Sequence, residues 1–332
     1  MHKLVNELAL VVLPLWWLGV SLAATVPLPD PPVVLAVKAA LKRADLAGAE
    51  SIVADYRKKH GDSPEALAAF AWLARGALSA GFLDHATEGA EQTRQLVLKV
   101  LHGRSLDANP YLAQAFGAAI EVEATVMNQM GQKSEAIHLL ETSLATYRHT
   151  SIVPRLRKNL NLLTLVGKPA PPIGMGELLE GVNPLLSSPG TGTTTAARGA
   201  QNAIVAGKVE LLFFWAHWCP DCKAQAPAIA RIAASLEPKG LVLIAPTRLY
   251  GYAAGGADAQ PAAEKKYIRE IFEKYYSFIP GMLVPLDPAD FDVYGVSTTP
   301  TLVVVDRHGL VRLYHPGTLS EQDLRAAILP LL

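Results

Sequence analysis

The sequence contains very little cysteine: two residues in 332, Cys219 and Cys222, with two residues between them. A secreted domain that depends on structural disulfides carries several cysteines spread along the chain. A bridge within this pair would close only a small loop, and the entropic gain from a cross-link grows with loop length. Structural zinc normally takes four ligands, and His217 alone does not complete such a set. The pair therefore favours redox chemistry, and no metal or other cofactor is predicted.

The sequence also lacks an excess of charge of either sign. Lys and Arg together number 30, Asp and Glu together number 30, and hydrophobic residues make up 50% of the chain. Nucleic-acid-binding proteins usually show a basic excess or a basic stripe, so a nucleic-acid partner is not expected. The apolar content is ample for a core and excludes bulk disorder. A chain of 332 residues predicts two domains.

The first 24 residues have the pattern of a secretory signal peptide. Lys3 precedes an apolar run over residues 8–18, and small residues up to Ala24 offer a cleavage site. The alternative is an uncleaved membrane anchor, because the run is close to the lower length limit of a spanning helix. In both cases the rest of the chain is expected outside the cytoplasm, as in the periplasm. Residues 25–32 predict a proline-stiffened lead-in.

Residues 33–166 predict a helical domain. They are rich in Ala, Leu, Glu and Arg and lack the alternation of β-branched residues that is typical of strands. Three segments align with one another, each with a small residue at a corner between two helices and an alanine five positions later, where the next helix packs closely: residues 44–49, 81–86 and 131–136.

This corner pattern resembles that of tetratricopeptide repeats, with irregular spacing between the corners. It predicts either a concave surface that binds a protein partner or a plain helical domain that packs against its neighbour. Trp72, Phe82 and Tyr147 are expected in the core of this domain rather than at a ligand.

Residues 167–332 predict a separate α/β domain. Prolines within residues 167–173 cannot continue a helix and mark a boundary that few contacts are expected to cross. A low-complexity tract at residues 187–195 predicts an exposed loop. Strands then alternate with helices, which implies a mixed sheet flanked by helices. The predicted strands cover residues 209–215, 241–245 and 301–305, and the predicted helices follow the cysteine pair and cover residues 263–276 and 320–329.

Two motifs carry a specific resemblance. The sequence FWAHWCPDCK at residues 214–223 and the sequence YGVSTTPT at residues 294–301 resemble the thioredoxin superfamily. From about Lys168 onward the chain is similar to the TlpA/ResA-like extracytoplasmic thiol–disulfide oxidoreductases. The resemblance implies a protein disulfide reductase that a membrane thiol donor supplies with electrons. It also implies a redox-active disulfide at Cys219 and Cys222, a cis-proline at Pro300, and supporting roles for Trp218, Pro220, Asp221 and Thr299.

The chemistry of the pair also follows from its position at the start of a helix. Pro220 suits the first helical position, and the partial positive charge there favours a thiolate at Cys219. A dipole contribution of up to about 2 kcal/mol lowers a thiol pKa from about 8.5 to about 7. Protonated His217 would act in the same direction, whereas Asp221 opposes it. We therefore expect Cys219 to be the exposed attacking thiol and Cys222 to resolve the mixed disulfide, at a reduction potential of about −270 to −200 mV.

Two positions depart from the family pattern. Thioredoxin has a buried aspartate where this sequence has Phe213, and TlpA/ResA-like proteins often have a glutamate where it has Gln225. Because those carboxylates assist proton transfer near the resolving thiol, the sequence leaves the proton acceptor unassigned. Trp218 either shields the site or belongs to the core.

Two other functions stay open at this point. One is an interaction protein, in which the helical domain binds a partner and the cysteines regulate it. The other is direct reduction of peroxide, which is less favoured because the peroxidatic Thr-x-x-Cys arrangement is absent.

Overall fold

The structure is a computed structural model that describes residues 29–180 and 207–332. The predicted signal peptide, the first half of the proline-rich lead-in and the low-complexity tract at residues 187–195 lie outside these ranges. Within the described ranges, no helix is both long enough and apolar enough to cross a membrane.

The N-terminal part of the described chain is helical, as the sequence predicts. Side chains of Asp45, Ser63 and Asn109 accept backbone N–H groups and cap three of the helices. Prolines occupy the first turn of two others, where a missing N–H costs nothing. The helices are α1 (Pro32–Lys42), α2 (Leu46–His60), α3 (Pro64–Ser79), α4 (Leu83–Leu101), α5 (Pro110–Gln129), α6 (Lys133–Thr146) and α7 (Val153–Thr164).

The three aligned sequence segments fall at the turns within the pairs α1–α2, α3–α4 and α5–α6. The alanine that ends each segment, at Ala49, Ala86 and Ala136, is completely buried. The predicted close packing at these alanines is therefore confirmed. The first residue of each segment has a left-handed backbone: φ is 58° at Ala44, 82° at Gly81 and 81° at Gly131.

The helix pairs stack in sequence, because α1 contacts α3, α3 contacts α5 and α5 contacts α7. The expectation that Phe82 lies in the core is wrong: 54% of this residue is exposed. Phe82 stands at the corner itself, where Ala86 takes the buried position, and its ring contacts only the neighbouring His85 at 6.2 Å between centroids among the described rings. Trp72 and Tyr147 are half-buried at the edges of two apolar clusters.

The C-terminal part contains a mixed four-stranded sheet. Its strands are β2 (Val209–Phe214), β3 (Leu241–Ile244), β5 (Thr301–Val305) and β6 (Val311–Pro316), in the order β3-β2-β5-β6. Strand β2 is parallel to β3 and antiparallel to β5, which is antiparallel to β6. A two-stranded pair, β1 (Leu178–Glu180) with β4 (Val284–Pro285), borders the β3 edge, where Ala245 N donates to Leu283 O at 2.7 Å and Leu283 N donates to Leu243 O at 3.1 Å. The helices are α8 (Pro220–Leu236), α9 (Pro261–Tyr275), α10 (Pro288–Tyr294) and α11 (Glu321–Ile328).

Strand β2 is buried on both faces, which explains the apolar run over residues 211–214; Glu210 is the charged residue within the strand and is also buried. Leu211 and Phe213 join the apolar cluster that contains the buried faces of α8 and α9. Leu212 and Phe214 join the opposite cluster, which includes Tyr294. The chain leaves this strand toward α8, and the cysteine pair lies at that junction.

Helix α7 joins the two parts through contacts that the sequence does not predict. Asn161 Nδ2 donates a hydrogen bond to Tyr294 O at 2.9 Å, and Leu165 lies in the same apolar cluster as Tyr294. Gly167 N donates to Val311 O at 2.8 Å. Asn161 and Leu165 therefore make contacts across the predicted boundary at residue 167.

Candidate active site

The two cysteines lie at the N-terminus of α8. Cys219 is the N-cap residue and Pro220 is the first helical residue. The Cys222 backbone N–H donates to Cys219 Sγ at 3.0 Å. The two residues form a disulfide, with 5.3 Å between their Cα atoms. The N-cap position thus directs a backbone donor and the positive end of the helix dipole at the first sulfur.

The backbone before β5 closes one side of the pair. The Thr299–Pro300 peptide bond is cis, as the sequence motif predicts. Thr299 O lies 3.4 Å from Cys219 Sγ, while Pro300 is buried and its carbonyl accepts a hydrogen bond from Gly317 N at 2.8 Å. The Thr299 hydroxyl is buried without a hydrogen-bond partner among the described residues.

The rim of the site is exposed although the sulfurs are not. Trp218 is 39% exposed, and Pro220 and Asp221 are also at the surface. Trp218 is therefore a rim residue rather than a core residue, and its ring meets Tyr250 edge-on at 5.6 Å. Cys219 is 2% exposed and Cys222 is 0% exposed. In this oxidised form, accessibility hardly separates the two sulfurs, so the difference between them is the hydrogen bond that Cys219 Sγ accepts.

His217 is buried beside the pair. It is 1% exposed and is surrounded by the rings of Tyr250, Tyr252 and Tyr267 at 5.2–5.6 Å between centroids. Burial, with a smaller contribution from the charge of Lys223, lowers the pKa of His217 to about 4. The imidazole is therefore neutral near pH 7, so the expected contribution of protonated His217 to the thiolate is confined to acidic pH.

Glu264, near the start of α9, is the buried carboxylate closest to this histidine. Its Oε1 lies 3.3 Å from His217 Nε2. The same carboxylate accepts the backbone N–H groups of Tyr250 at 2.5 Å and Gly251 at 2.8 Å, so it holds the segment that follows β3 over the site. Sequence reasoning missed Glu264; the available signal was an acidic residue in the first turn of a helix.

The described residues contain no group of three or more His, Cys, Asp or Glu side chains that could hold a metal ion.

No protein-family model matches the chain. The chain is 27% identical over 168 residues to the thiol:disulfide interchange protein DsbE of Xylella fastidiosa, a match that covers 51% of this chain and 70% of that protein. It is 22% identical over 119 residues to the thiol-disulfide oxidoreductase ResA of Geobacillus thermodenitrificans, covering 36% of this chain and 60% of that protein. The C-terminal part of the chain thus has a thioredoxin-like fold and is similar to thiol–disulfide oxidoreductases.

A solved structure of a secreted Mycobacterium tuberculosis disulfide oxidoreductase is also similar to the thioredoxin-like domain. The two are 21% identical, with a TM-score of 0.30, over 38% of this chain and 84% of that one.

The thioredoxin-like domain lacks both carboxylates that the family places near the resolving thiol. Phe213 is fully buried and packs near Tyr276, with 6.3 Å between the ring centroids. The Gln225 amide exchanges two hydrogen bonds with the Leu319 backbone, at 3.0 Å as donor and 2.9 Å as acceptor. Gln225 therefore ties α8 to the segment before α11. The ionisable pair that lies buried nearest the motif is His217 with Glu264.

Proposed function

We propose that the chain reduces protein disulfides outside the cytoplasm, with Cys219 as the attacking thiol and Cys222 as the resolving thiol. The observation that carries the proposal is the hydrogen bond from Cys222 N–H to Cys219 Sγ at 3.0 Å. A backbone donor at a helix N-terminus stabilises negative charge on the sulfur that accepts it. A thiolate at Cys219 is thus favoured over one at Cys222.

The reaction proceeds by two thiol–disulfide exchanges. In the reduced enzyme, the Cys219 thiolate attacks one sulfur of a substrate disulfide, and the other substrate sulfur leaves as a thiolate that takes up a proton. Cys222 then loses its proton and attacks Cys219 Sγ, which releases the second substrate thiol. The substrate gains two electrons, and the Cys219–Cys222 disulfide forms. A dithiol donor at the membrane reduces that disulfide again.

The rim suits an extended polypeptide substrate. Trp218, Pro220 and Asp221 surround the pair at the surface, and the backbone of Thr299 lies beside Cys219 Sγ. A backbone carbonyl at this position aligns the chain that carries the disulfide, while the surface residues leave room for it.

Insulin reduction in the presence of dithiothreitol tests the activity. We expect turnover by the wild type and none above background by the Cys219→Ser variant. Equal rates for the two proteins would favour the alternative, in which the thioredoxin-like domain only regulates or docks partners of the helical domain. Trapping with Cys222→Ser, which cannot resolve a mixed disulfide, would capture the physiological substrates.

The direction of electron flow is tested by equilibration with glutathione buffers. We expect a reduction potential of about −270 to −200 mV, between those of thioredoxin and the glutaredoxins. A potential near about −120 mV, as in strong oxidants, would make the chain a disulfide donor instead. Fractionation of cells that express the full sequence would test the proposed extracytoplasmic location, which the N-terminal pattern supports.

A further inference from the structure

The helical part contains a cluster in which three cations share one carboxylate. Glu121 on α5 accepts Arg75 Nη2 of α3 at 3.1 Å, and Arg155 Nη1 and Lys158 Nζ of α7 at 3.2 Å each. Within the described ranges, Glu121 is the only carboxylate within 4.0 Å of these three side chains. The cluster therefore carries an excess of two positive charges.

Bulk water does not fully solvate that excess. The four side chains are between 11% and 31% exposed. Burial alone would raise the pKa of Glu121, but the charges of Lys158, Arg155 and Arg75 together lower it to about 2. Burial also lowers the pKa values of Arg155 and Lys158, although Glu121 partly offsets this. Like charges that are held together away from water are costly unless an anion compensates them.

A cavity of about 200 Å³ opens at this cluster. Arg75 and Arg155 line it, together with Trp72, Gln114 and Asp30. A guanidinium has five N–H donors, and Glu121 accepts one from each arginine. The cavity therefore offers cationic hydrogen-bond donors beside an aromatic surface, since Arg75 also stacks over the Trp72 ring at 4.6 Å from its centroid.

We propose that this cavity binds the carboxylate group of a ligand between Arg75 and Arg155. The planar guanidinium fork matches a carboxylate in geometry. Asp30 also lies on the cavity wall, but Lys38 at 2.5 Å balances its charge, so the positive excess of the cluster remains available to the ligand. The volume admits a carboxylate with a short body, such as an acidic side chain of a polypeptide or a small free acid.

A second arginine in the helical part has a similar aromatic neighbour, but a single carboxylate fully balances its charge. Arg57 lies over the Phe70 ring at 5.1 Å and pairs with Asp62 at 2.6 Å. It thus repeats the arrangement of Arg75, an arginine on an aromatic ring with a carboxylate partner, but one cation meets one anion. Arg57 is therefore the matched control for Arg75.

Isothermal titration calorimetry on the oxidised full chain in low-chloride buffer tests the site. The probes are acetate and the blocked peptide N-acetyl-Gly-Glu-Gly-amide. We expect saturable binding that Arg75→Gln weakens about tenfold or more, the loss expected for one charged hydrogen-bonding group, whereas Arg57→Gln leaves it unchanged. Glu121→Gln should tighten binding, because it removes the internal carboxylate that competes for the same donors.

The two probes distinguish the sources of the carboxylate. Tighter binding of the peptide supports a polypeptide ligand, and equal binding supports a small free acid. Absence of binding, equal affinities for wild type and Arg75→Gln, or weakening by Glu121→Gln in a variant that circular dichroism shows to be folded would overturn the proposal. Insulin reduction by Arg75→Gln should match that of the wild type, so this test is independent of the proposed redox function.

Discussion

At the scale of single residues, the groups that would stabilise the proposed Cys219 thiolate are backbone groups rather than a neighbouring cation. His217 is neutral near pH 7 because its tyrosine surroundings exclude water. The Cys222 N–H and the start of α8 remain as the stabilising groups. Asp221, in the first turn of the same helix, is the charge that opposes them. The balance between the helix terminus and this carboxylate sets the reduction potential of the cysteine pair.

Replacing Asp221 should make the pair more oxidising. In Asp221→Asn the nearby negative charge is gone, so the thiolate of the reduced form is more stable and the reduction potential rises by about 10–20 mV, as for a change of about 0.5–1 kcal/mol. Equilibration with glutathione buffers measures the shift. Glu237→Gln, at the other end of α8, is the control and should leave the potential unchanged. An unchanged or lower potential in Asp221→Asn would contradict this account.

Asp290 on α10 should make stability depend on pH. Burial raises its pKa from 3.8 to about 7, with a small further increase from Asp287, although Oδ1 accepts Gly174 N–H at 2.8 Å. The folded protein therefore retains a proton that the unfolded chain releases above about pH 4. This contribution to stability is fully present below about pH 4 and is lost as pH rises to about 7, by up to about 4 kcal/mol.

Asp290→Asn removes this dependence. We expect the variant to unfold at a higher temperature than the wild type at pH 8 and at a similar or lower temperature at pH 4, because the amide keeps the oxygen that accepts Gly174 N–H and carries no charge. Scanning calorimetry across this range measures the difference. Asp292→Asn, at an exposed position on the same helix, should show no such trend. A constant difference between Asp290→Asn and the wild type at all pH values would rule out the explanation.

At the scale of secondary-structure elements, the three helix corners repeat one backbone conformation with different residues. Gly81 and Gly131 adopt a positive φ without a steric penalty. Ala44 adopts the same conformation at φ 58°, where a Cβ atom is unfavourable by about 1–2 kcal/mol. The first corner is thus the strained member of the set.

Ala44→Gly should stabilise the protein. Relief of the left-handed strain outweighs the extra entropy that glycine has in the unfolded chain, for a gain of about 0.5–1 kcal/mol. Urea unfolding measures it. Ala54→Gly, at an exposed position within α2, is the matched control and should destabilise by about 1 kcal/mol. Destabilisation by Ala44→Gly as well would mean that the corner carries no strain.

The elements that the sequence predicts are those with a strong local signal. Strand β2 has an apolar run over residues 211–214, and α8 has a cap, a proline and apolar residues at helical spacing. Strand β6 was not predicted because it is only partly buried and has no apolar run. Helix α10 spans seven residues, which is too short for helical periodicity to be visible.

The same distinction applies to the site. The motif places Cys219, Cys222 and Pro300, because their roles depend on local spacing. The neutral state of His217 depends on Tyr250, Tyr252 and Tyr267, and its neighbour Glu264 comes from another helix. Only the folded topology brings these residues to the motif; the acidic residue in the first turn of α9 is the one local signal, and it does not indicate the contact with His217.

At the scale of the whole molecule, α7 belongs to both parts. It packs on α5 and α6 of the helical part and on α10 and β6 of the thioredoxin-like domain. Gly295 shows how close this packing is: an added Cβ would lie 2.5 Å from the backbone N of Lys158. A division of the chain at residue 167 separates the sheet from a helix that covers it.

Shortened chains should reflect this packing. We expect residues 167–332 to retain a reversible Cys219–Cys222 disulfide, because the site lies within that range. Residues 153–332, which keep α7, should unfold at a higher temperature, because Leu165 and Asn161 then stay in contact with the domain. Thermal unfolding of both, with thiol trapping as the redox readout, tests this. Equal midpoints would show that α7 contributes nothing to the stability of the domain.

The contact between Asn161 and Tyr294 also bears on how the chain is made. The two residues are 133 positions apart, and synthesis proceeds from the N-terminus at about 5–20 residues per second. Helix α7 is therefore complete on the order of ten seconds before its partner on α10 leaves the ribosome. During that interval α7 packs on α5 and α6 alone, and the apolar side chain of Leu165 is exposed to solvent. The helical part is thus synthesised first, and it provides the surface on which β5 and β6, the last strands of the sheet, assemble.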